Sequence, residues 1–388
     1  MQKTRKKRAG GMKTVLLLLI GVSAYVLLSC FHKPAAVVRI GAVGDVMIHA
    51  GQLSDAWDPE TESFDFAPAF APMAKLMVRQ DLMIGNLETT CCGPGTVEGS
   101  PMIHGYTGYP LFNTPDTIAE ALKDSGFDVI GVANNHSLDG GPKGWQRTIS
   151  VLQEAGLITS GDTMCTYQKV HGMNVAVLAA SYGTNGHPAP TGFPTLQFTD
   201  DVLRQNIRTA RENADLVILI LHDGQEYVSA PSEDLISRAD ALIAEGCDLI
   251  LISHAHVPGP AVLRNVQGRT GLVLFGLGNF ISAQEWTEEL KVHCERGLMA
   301  SVDVKKNGEL IGLRLYPTVC KHTEKGYQTM LLRDVEALRW FEETVLAGQQ
   351  YTYKNAEGCY FIDLRQEEEG SGNQWKILPA CWTRRFRT

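Results

Sequence analysis

The chain has 388 residues, 44% apolar and 20% charged, enough to bury one large α/β core or two smaller ones, with no repeat or disorder signal. Its net charge is −8, but seven basic residues (Lys3, Arg5, Lys6, Lys7, Arg8, Lys13, Lys33) and no acid precede residue 34, leaving 28 basic and 43 acidic groups and a body near −15. That sign excludes nucleic acid as an electrostatic partner and suits metal ions or cationic groups.

Residues 14–31 (TVLLLLIGVSAYVLLSCF) form an apolar run behind the basic segment, just long enough to span a bilayer. This order leaves the amino terminus in the cytoplasm and the body outside, as a signal anchor or a cleaved signal. The run also contains LLSC, ending at Cys30, which resembles the lipobox of bacterial lipoproteins; Cys30 would then carry the lipid. Either route predicts a body tethered at the extracytoplasmic face of the cell membrane. Eight further cysteines include no C-x-x-C pair, so disulfides are possible there but their pairing is not deducible. Cys247, inside the apolar run CDLILIS, reads as core.

In chain order, residues 36–43 read as a strand ending at GDVMIH, 66–80 as a helix, and 81–85 as a strand ending at NLE. The loop 89–113, rich in Gly, Pro and Tyr, is long enough to be functional and is expected to lie over a site as a flap. A helix over 114–125 precedes the apolar run 127–130 and the polar stretch GVANNHSLDGG. After a helix at 145–155 come a strand at 173–180, a Gly/Pro-rich loop at 181–198, a helix at 200–213 and a strand at 216–221 closing on HDGQEY. A helix at 232–245, a strand at 247–253 closing on HAH, and a strand at 271–278 ending in Asn279 follow. Strands alternating with helices argue for βαβ construction. Around Asn307 and Gly308, residues 297–304 and 310–316 predict a hairpin adding antiparallel strands to a second layer, with a helix at 334–346.

In open α/β sheets ligands sit beyond the carboxyl ends of the strands. The residues collected there are Asp45, His49, Glu88, Asn135, His136, His222, Glu226, His254 and His256. Such polar groups are poor packing choices, although a polar turn capping the helix after Asp139 is an equally good reading of the Asn135–His136 stretch taken alone. Carboxylates, imidazoles and an amide oxygen converging on one rim are what a pair of divalent transition metals requires. The spacing of His254 and His256 puts both rings on one side of an extended segment.

The series GDVMIH, NLE, ANNHSLDGG, H-x-G-x-E-Y, SHAHV and GLGNF, in this order across residues 39–281, resembles the CapA family of poly-γ-glutamate capsule biosynthesis proteins. That family in turn is similar to the calcineurin-like metallophosphatases, so the resemblance implies an α/β fold, a metallophosphatase-like two-layered β-sandwich flanked by helices. With the basic and hydrophobic leader read at 1–33, the resemblance implies a family domain at 34–285 and a C-terminal part at 286–388 that completes or extends the same domain. It further implies two divalent ions (manganese, iron or zinc), one held by Asp45 and His256, the other by Asn135, His222 and His254, with Glu88 bridging. His136 would give a proton to the leaving group, and Asp139 would either orient His136 or cap the next helix. His49 and Glu226 are possible additional ligands. Three positions depart from the metallophosphatase pattern: Met47 stands where Asp-x-His would place a ligand, the bridging acid is Glu, and Asp223 replaces a usual Trp.

Three functions follow as expectations. One is a metal-dependent hydrolase acting on poly-γ-glutamate or a related anionic envelope polymer. Another is a metallophosphoesterase acting on an envelope phosphoester. The third is a non-catalytic accessory subunit of a membrane polymer synthase.

Overall fold

The computed structural model describes residues 37–365 apart from 195, 286, 289–290, 348 and 355–356. The apolar run 14–31 and Cys30 lie outside the described residues; among these, no helix is long and apolar enough to cross a membrane.

Strand β1 (Val38–Val46) alternates cleanly, with Val38, Ile40 and Ala42 facing one core and Val43 another. Period-two burial on both faces is what a central strand between two apolar layers requires. After helices α1 (Ala50–Ala56) and α2 (Ala67–Met77), β2 (Leu82–Leu87) pairs parallel to β1. Helix α3 (Thr117–Asp124), β3 (Val129–Gly131), α4 (Gly141–Glu154) and β4 (Ile158–Ser160) continue the parallel run.

The second sheet begins with β5 (Thr166–Val170), antiparallel to β6 (Met173–Ser181). Helix α5 (Leu196–Asn213), β7 (Leu216–His222), α6 (Glu233–Glu245) and β8 (Leu249–Ser253) follow. The chain signals the limits of α6 locally: the Ser232 hydroxyl accepts from the Leu235 amide, acids occupy the first turn, and Gly246 at φ +133° ends it. Strands β9 (Ala261–Val266) and β10 (Arg269–Leu274) complete the order β9-β10-β8-β7-β6-β5.

The strand predicted at 271–278 ends at Leu274, and the residues that follow it belong to the other layer. After Leu274 the chain crosses, and β11 (Asn279–Ile281) pairs parallel with β1 in the first sheet. Gly278 turns the chain at φ +65°, and a Cβ on Gly44 would overlap the Gly278 carbonyl oxygen, so glycine is required at this close approach.

The Asn307–Gly308 hairpin is present, joining β12 (Arg296–Val304) to β13 (Leu310–Thr323). Contrary to expectation it adds to the first layer, because β12 pairs antiparallel with β1. Strands β14 (Gly326–Leu331), β15 (Thr352–Lys354) and β16 (Cys359–Asp363) extend the same sheet, and α7 (Val335–Thr344) lies between the last two hairpins in sequence.

The two sheets pack face to face. Val38, Ile40, Ile84 and Val129 from the first meet Val175, Val177, Ile218 and Leu251 from the second in one buried cluster. The outer face of the first sheet is covered by Phe70, Met73, Met77, Ile118, Leu122 and Leu152 of α2, α3 and α4. Ile207, Ala210, Ala239 and Leu242 of α5 and α6 cover that of the second. This is the helix-flanked two-layered sandwich that the sequence motifs led us to expect. The seven described cysteines are free thiols, with Cys247 fully buried in the second layer as expected.

Candidate metal centre

The carboxyl ends of the parallel strands of both sheets meet at one rim. Register fixes them there: Asp45 is level with both Asn86 and Asn279, and His222 with both Ser181 and Ser253. Asp45, Glu88, Asn135, His222, His254 and His256 are all buried. Their ligand atoms form overlapping groups: those of Asp45, Glu88 and His256 lie within 4.8 Å of one another, as do those of Glu88, His222 and His254. Glu88 belongs to both. The oxygen of Asn135 joins the second group, with Oδ1 2.8 Å from His222 Nε2, while Glu88 Oε1 lies 3.5 Å from the same nitrogen.

Asparagines orient these side chains. Asn86 Nδ2 donates to Asp45 Oδ1 at 2.8 Å, and Asn134 Nδ2 donates to the Leu87 carbonyl at 2.7 Å, tying the third strand end to the second. His256 Nδ1 lies 3.0 Å from Asn279 Oδ1, a pairing that leaves Nε2 facing Glu88 Oε1 at 4.0 Å. His222 Nδ1 lies 3.0 Å from the Ser253 hydroxyl, again leaving Nε2 for the centre. A partner on one imidazole nitrogen that turns the other inward is how proteins hold metal-ligating histidines.

The electrostatics show a set short of positive charge. Both Glu88 oxygens and His254 Nδ1 are buried without a hydrogen bond. Burial, reinforced by the Asp45 carboxylate, pushes the Glu88 carboxyl up to about 8. Burial acts against ionised Asp45 too, but the hydrogen bond and charge of His256 with the charge of His222 outweigh it, holding that carboxyl below its usual range. Burial holds His222 and His254 well below the ordinary histidine value, whereas His256, opposed by burial but facing Glu88 and Asp45, is pushed up. Orphaned buried oxygen and nitrogen atoms converging around one shared carboxylate fit a divalent cation, and the mixture of imidazole, carboxylate and amide fits the transition series.

His136 stands beside this set. Its Nδ1 is 2.8 Å from Asp139 Oδ2, its ring meets Phe112 edge-on at 4.7 Å, and Asn185 Nδ2 approaches its Nε2 at 3.4 Å. Burial opposes protonation, yet the Asp139 hydrogen bond and charge raise the His136 pKa above the ordinary value. Of the two roles open to Asp139, the geometry shows the orienting one: α4 starts after Gly140 with no side-chain cap, and Asp139 Oδ2 also accepts from the Phe112 amide at 2.7 Å. That bond ties the loop 89–113 to His136. The loop carries structure of its own, a short ladder of Met102–Ile103 with Tyr106–Thr107, and places Phe112 against the site.

Two details differ from expectation. His254 and His256 are not in an extended segment; both lie past the end of β8 at φ +96° and +57°, and it is this unusual backbone that directs the two rings, with centroids 6.1 Å apart. His49 falls outside the ligand groups, because its Nδ1 accepts from the Ala283 amide at 3.3 Å and its ring packs on Phe112 at 5.1 Å. Met47 is buried and offers no nitrogen to the centre. Glu226 is exposed but reaches the edge of the set, forming a third group with His254 and His256. Asp223, at the usual Trp position, pairs with Arg238 at 3.4 Å. Asn86, Asn185, Asn279 and Tyr182, whose ring lies 4.5 Å from His254, were not singled out by sequence; the asparagines that follow strand runs in NLE and GNF were the available signal.

Fold and site thus define a two-sheet α/β protein with buried carboxylate, imidazole and amide side chains, of the kinds that can hold a metal, gathered at its strand ends. The bacterial capsule synthesis protein PGA_cap family model matches residues 39–284, more than half of the chain, and the chain belongs to that family. It is 27% identical over 277 residues to the capsule biosynthesis protein CapA of Bacillus anthracis, covering 66% of this chain and 62% of that one. To the PGA biosynthesis protein CapA of Bacillus subtilis (strain 168) it is 30% identical over 200 residues, covering 49% of this chain and 50% of that one. The chain therefore spans half to about three fifths of the lengths of these relatives. Among solved structures, the calcineurin-like phosphoesterase YfkN from Bacillus subtilis overlaps 77% of this chain and 90% of its own at 12% identity, with a TM-score of 0.38.

Proposed function

We propose that this protein is a binuclear-metal hydrolase of the bacterial envelope, tethered outside the cytoplasm by its amino-terminal segment and acting on poly-γ-glutamate or a related anionic polymer. The observation that carries the reading is the Glu88 carboxylate, buried, without hydrogen bonds, and shared by two groups of ligand atoms beside the His136–Asp139 pair. Asp45 and His256 would hold one ion, Asn135, His222 and His254 the other, and Glu88 both. Manganese, iron and zinc all suit these donors. When bound, the ions would supply positive charge to the electrophile and lower the pKa of a water.

The chain's own residues do the rest. Asp139 fixes the His136 ring through Nδ1, which leaves Nε2, beside Asn185, as the nitrogen that would deliver a proton to a departing oxygen or nitrogen. Phe112, packed on that ring and buried, excludes water from it. An oriented, raised-pKa histidine beside a ligand set favours an enzyme over an accessory subunit. A phosphoester is the second substrate class supported, because two groups of ligands sharing one carboxylate suit in-line phosphoryl displacement.

The test is turnover by the metal-loaded chain of γ-linked polyglutamate and of phosphomonoesters and diesters, with and without His136→Asn. The expected result is cleavage of one class, falling roughly 10²–10⁴-fold in the variant with metal content retained. Absence of turnover across all three classes, with metal bound, would support the accessory-subunit reading.

A further inference from the structure

The loop after β6 is closed at its base, where the Ser181 amide donates to the Pro194 carbonyl at 2.9 Å. Phe193 anchors its far end, buried against Leu138 and Trp145 beside Asp139. The span between contains Gly183, Gly186 at φ +81° and Gly192 at φ +88°, where an added Cβ would meet nothing within 4 Å. A loop with joined ends, a packed foot and open glycines is built to hold its tip over something.

Two tip residues reach the His136–Asp139 pair. Asn185 Nδ2 lies 3.4 Å from His136 Nε2, and Asn135 Nδ2 donates to Asn185 Oδ1 at 3.2 Å. His187 Nε2 lies 3.9 Å from Asp139 Oδ1. That oxygen belongs to a side chain with 0% exposure and has no hydrogen-bond partner, while Oδ2 has two, His136 Nδ1 and the Phe112 amide. The His187 side chain is 35% exposed, and its backbone is pinned by a turn in which its amide donates to the Thr184 carbonyl at 2.9 Å.

We propose that His187 is a positioning residue for the hydrolysis reaction: the loop of residues 182–193 closes on the site, and His187 Nε2 supplies the missing partner of Asp139 Oδ1. The inference rests on the hydrolase reading given above. A buried carboxylate oxygen without a donor carries a desolvation cost, and a shift of about 1 Å brings the imidazole within hydrogen-bond range. With both oxygens satisfied, Asp139 is held in one orientation, and through it the His136 ring. Asn185, on the same tip, closes over Nε2 on the leaving-group side.

The experiment follows exchange with water of the His136 Nδ1 proton, by NMR on the zinc-loaded full chain, in the unaltered protein, His187→Ala and His187→Gln. Exchange is expected to be on the order of tenfold faster in His187→Ala and restored in His187→Gln, whose amide nitrogen can still donate. Turnover falls in the same order, by roughly 10–100-fold in kcat with KM and zinc content unchanged. Unchanged exchange in His187→Ala, an effect on KM alone, or loss of zinc would overturn the positioning role. A chain that protects the proton through His187 yet turns over no substrate overturns the hydrolase reading instead and leaves the contact standing.

Discussion

Glu88 is buried, lacks a hydrogen bond to either carboxylate oxygen and belongs to two of the ligand-atom groups. In the metal-free chain its folded pKa of about 8 lies above the ordinary 4.5, so the folded state binds this proton more tightly than the unfolded one. Its contribution to stability is therefore full below about pH 4.5 and lost as pH rises through about 8. Replacing it by the neutral isostere removes that loss. We expect Glu88→Gln, compared with the unaltered chain after chelation, to gain stability on the order of a few kcal/mol at pH 8 and little at pH 5, read from thermal melts at the two values. Equal melts at pH 8 would mean that the buried carboxyl carries no such strain. The same substitution removes a carboxylate that belongs to two groups of candidate ligand atoms, so under the proposed function it sets stability against metal binding in a single side chain.

At the scale of the element, the crossing from β10 to β11 brings Asn279 level with Asp45. The Asp45 amide donates to the Gly278 carbonyl at 3.0 Å, which leaves no room for a Cβ on Gly44. Gly44→Ala is expected to destabilise the fold by about 3 kcal/mol or more in denaturant titration, whereas Gly183→Ala, in open space, stays within about 0.5 kcal/mol. Similar costs for both would show that the close approach is not needed. This crossing was invisible in the sequence, where 271–278 is one apolar run; periodicity reports burial and not which layer a strand joins. The central strands were legible for the same reason, since runs such as Leu216–His222 are buried on both faces. Edge strands such as β5, with its mixed exposure, lack that signal.

For the molecule as a whole, two sheets place their carboxyl ends together, so a site assembled from residues 45 to 256 was readable as a list of strand-end polar residues. Asp45, Glu88, Asn135, His222, His254 and His256 do converge. What the list could not contain is the second set of contacts. Asn86 and Asn279 act across strands, Asn185 and His187 arrive on a loop anchored by Phe193, and His254 and His256 turn inward through positive φ. Asn86 and Asn279 carry only the signal of a polar residue closing a strand run, and the others depend on tertiary placement and leave no local pattern. His49 shows the converse, a strand-end histidine that packing claims for itself.

The most direct test is the metal content of the purified chain from residue 34 onward, after loading and removal of free ions, for the unaltered protein and for Glu88→Ala and His254→Ala. The account predicts about two equivalents of manganese, iron or zinc per chain, falling to about one or less in both variants. Content near zero that added metal does not restore, or two equivalents unchanged by either substitution, would contradict the binuclear centre.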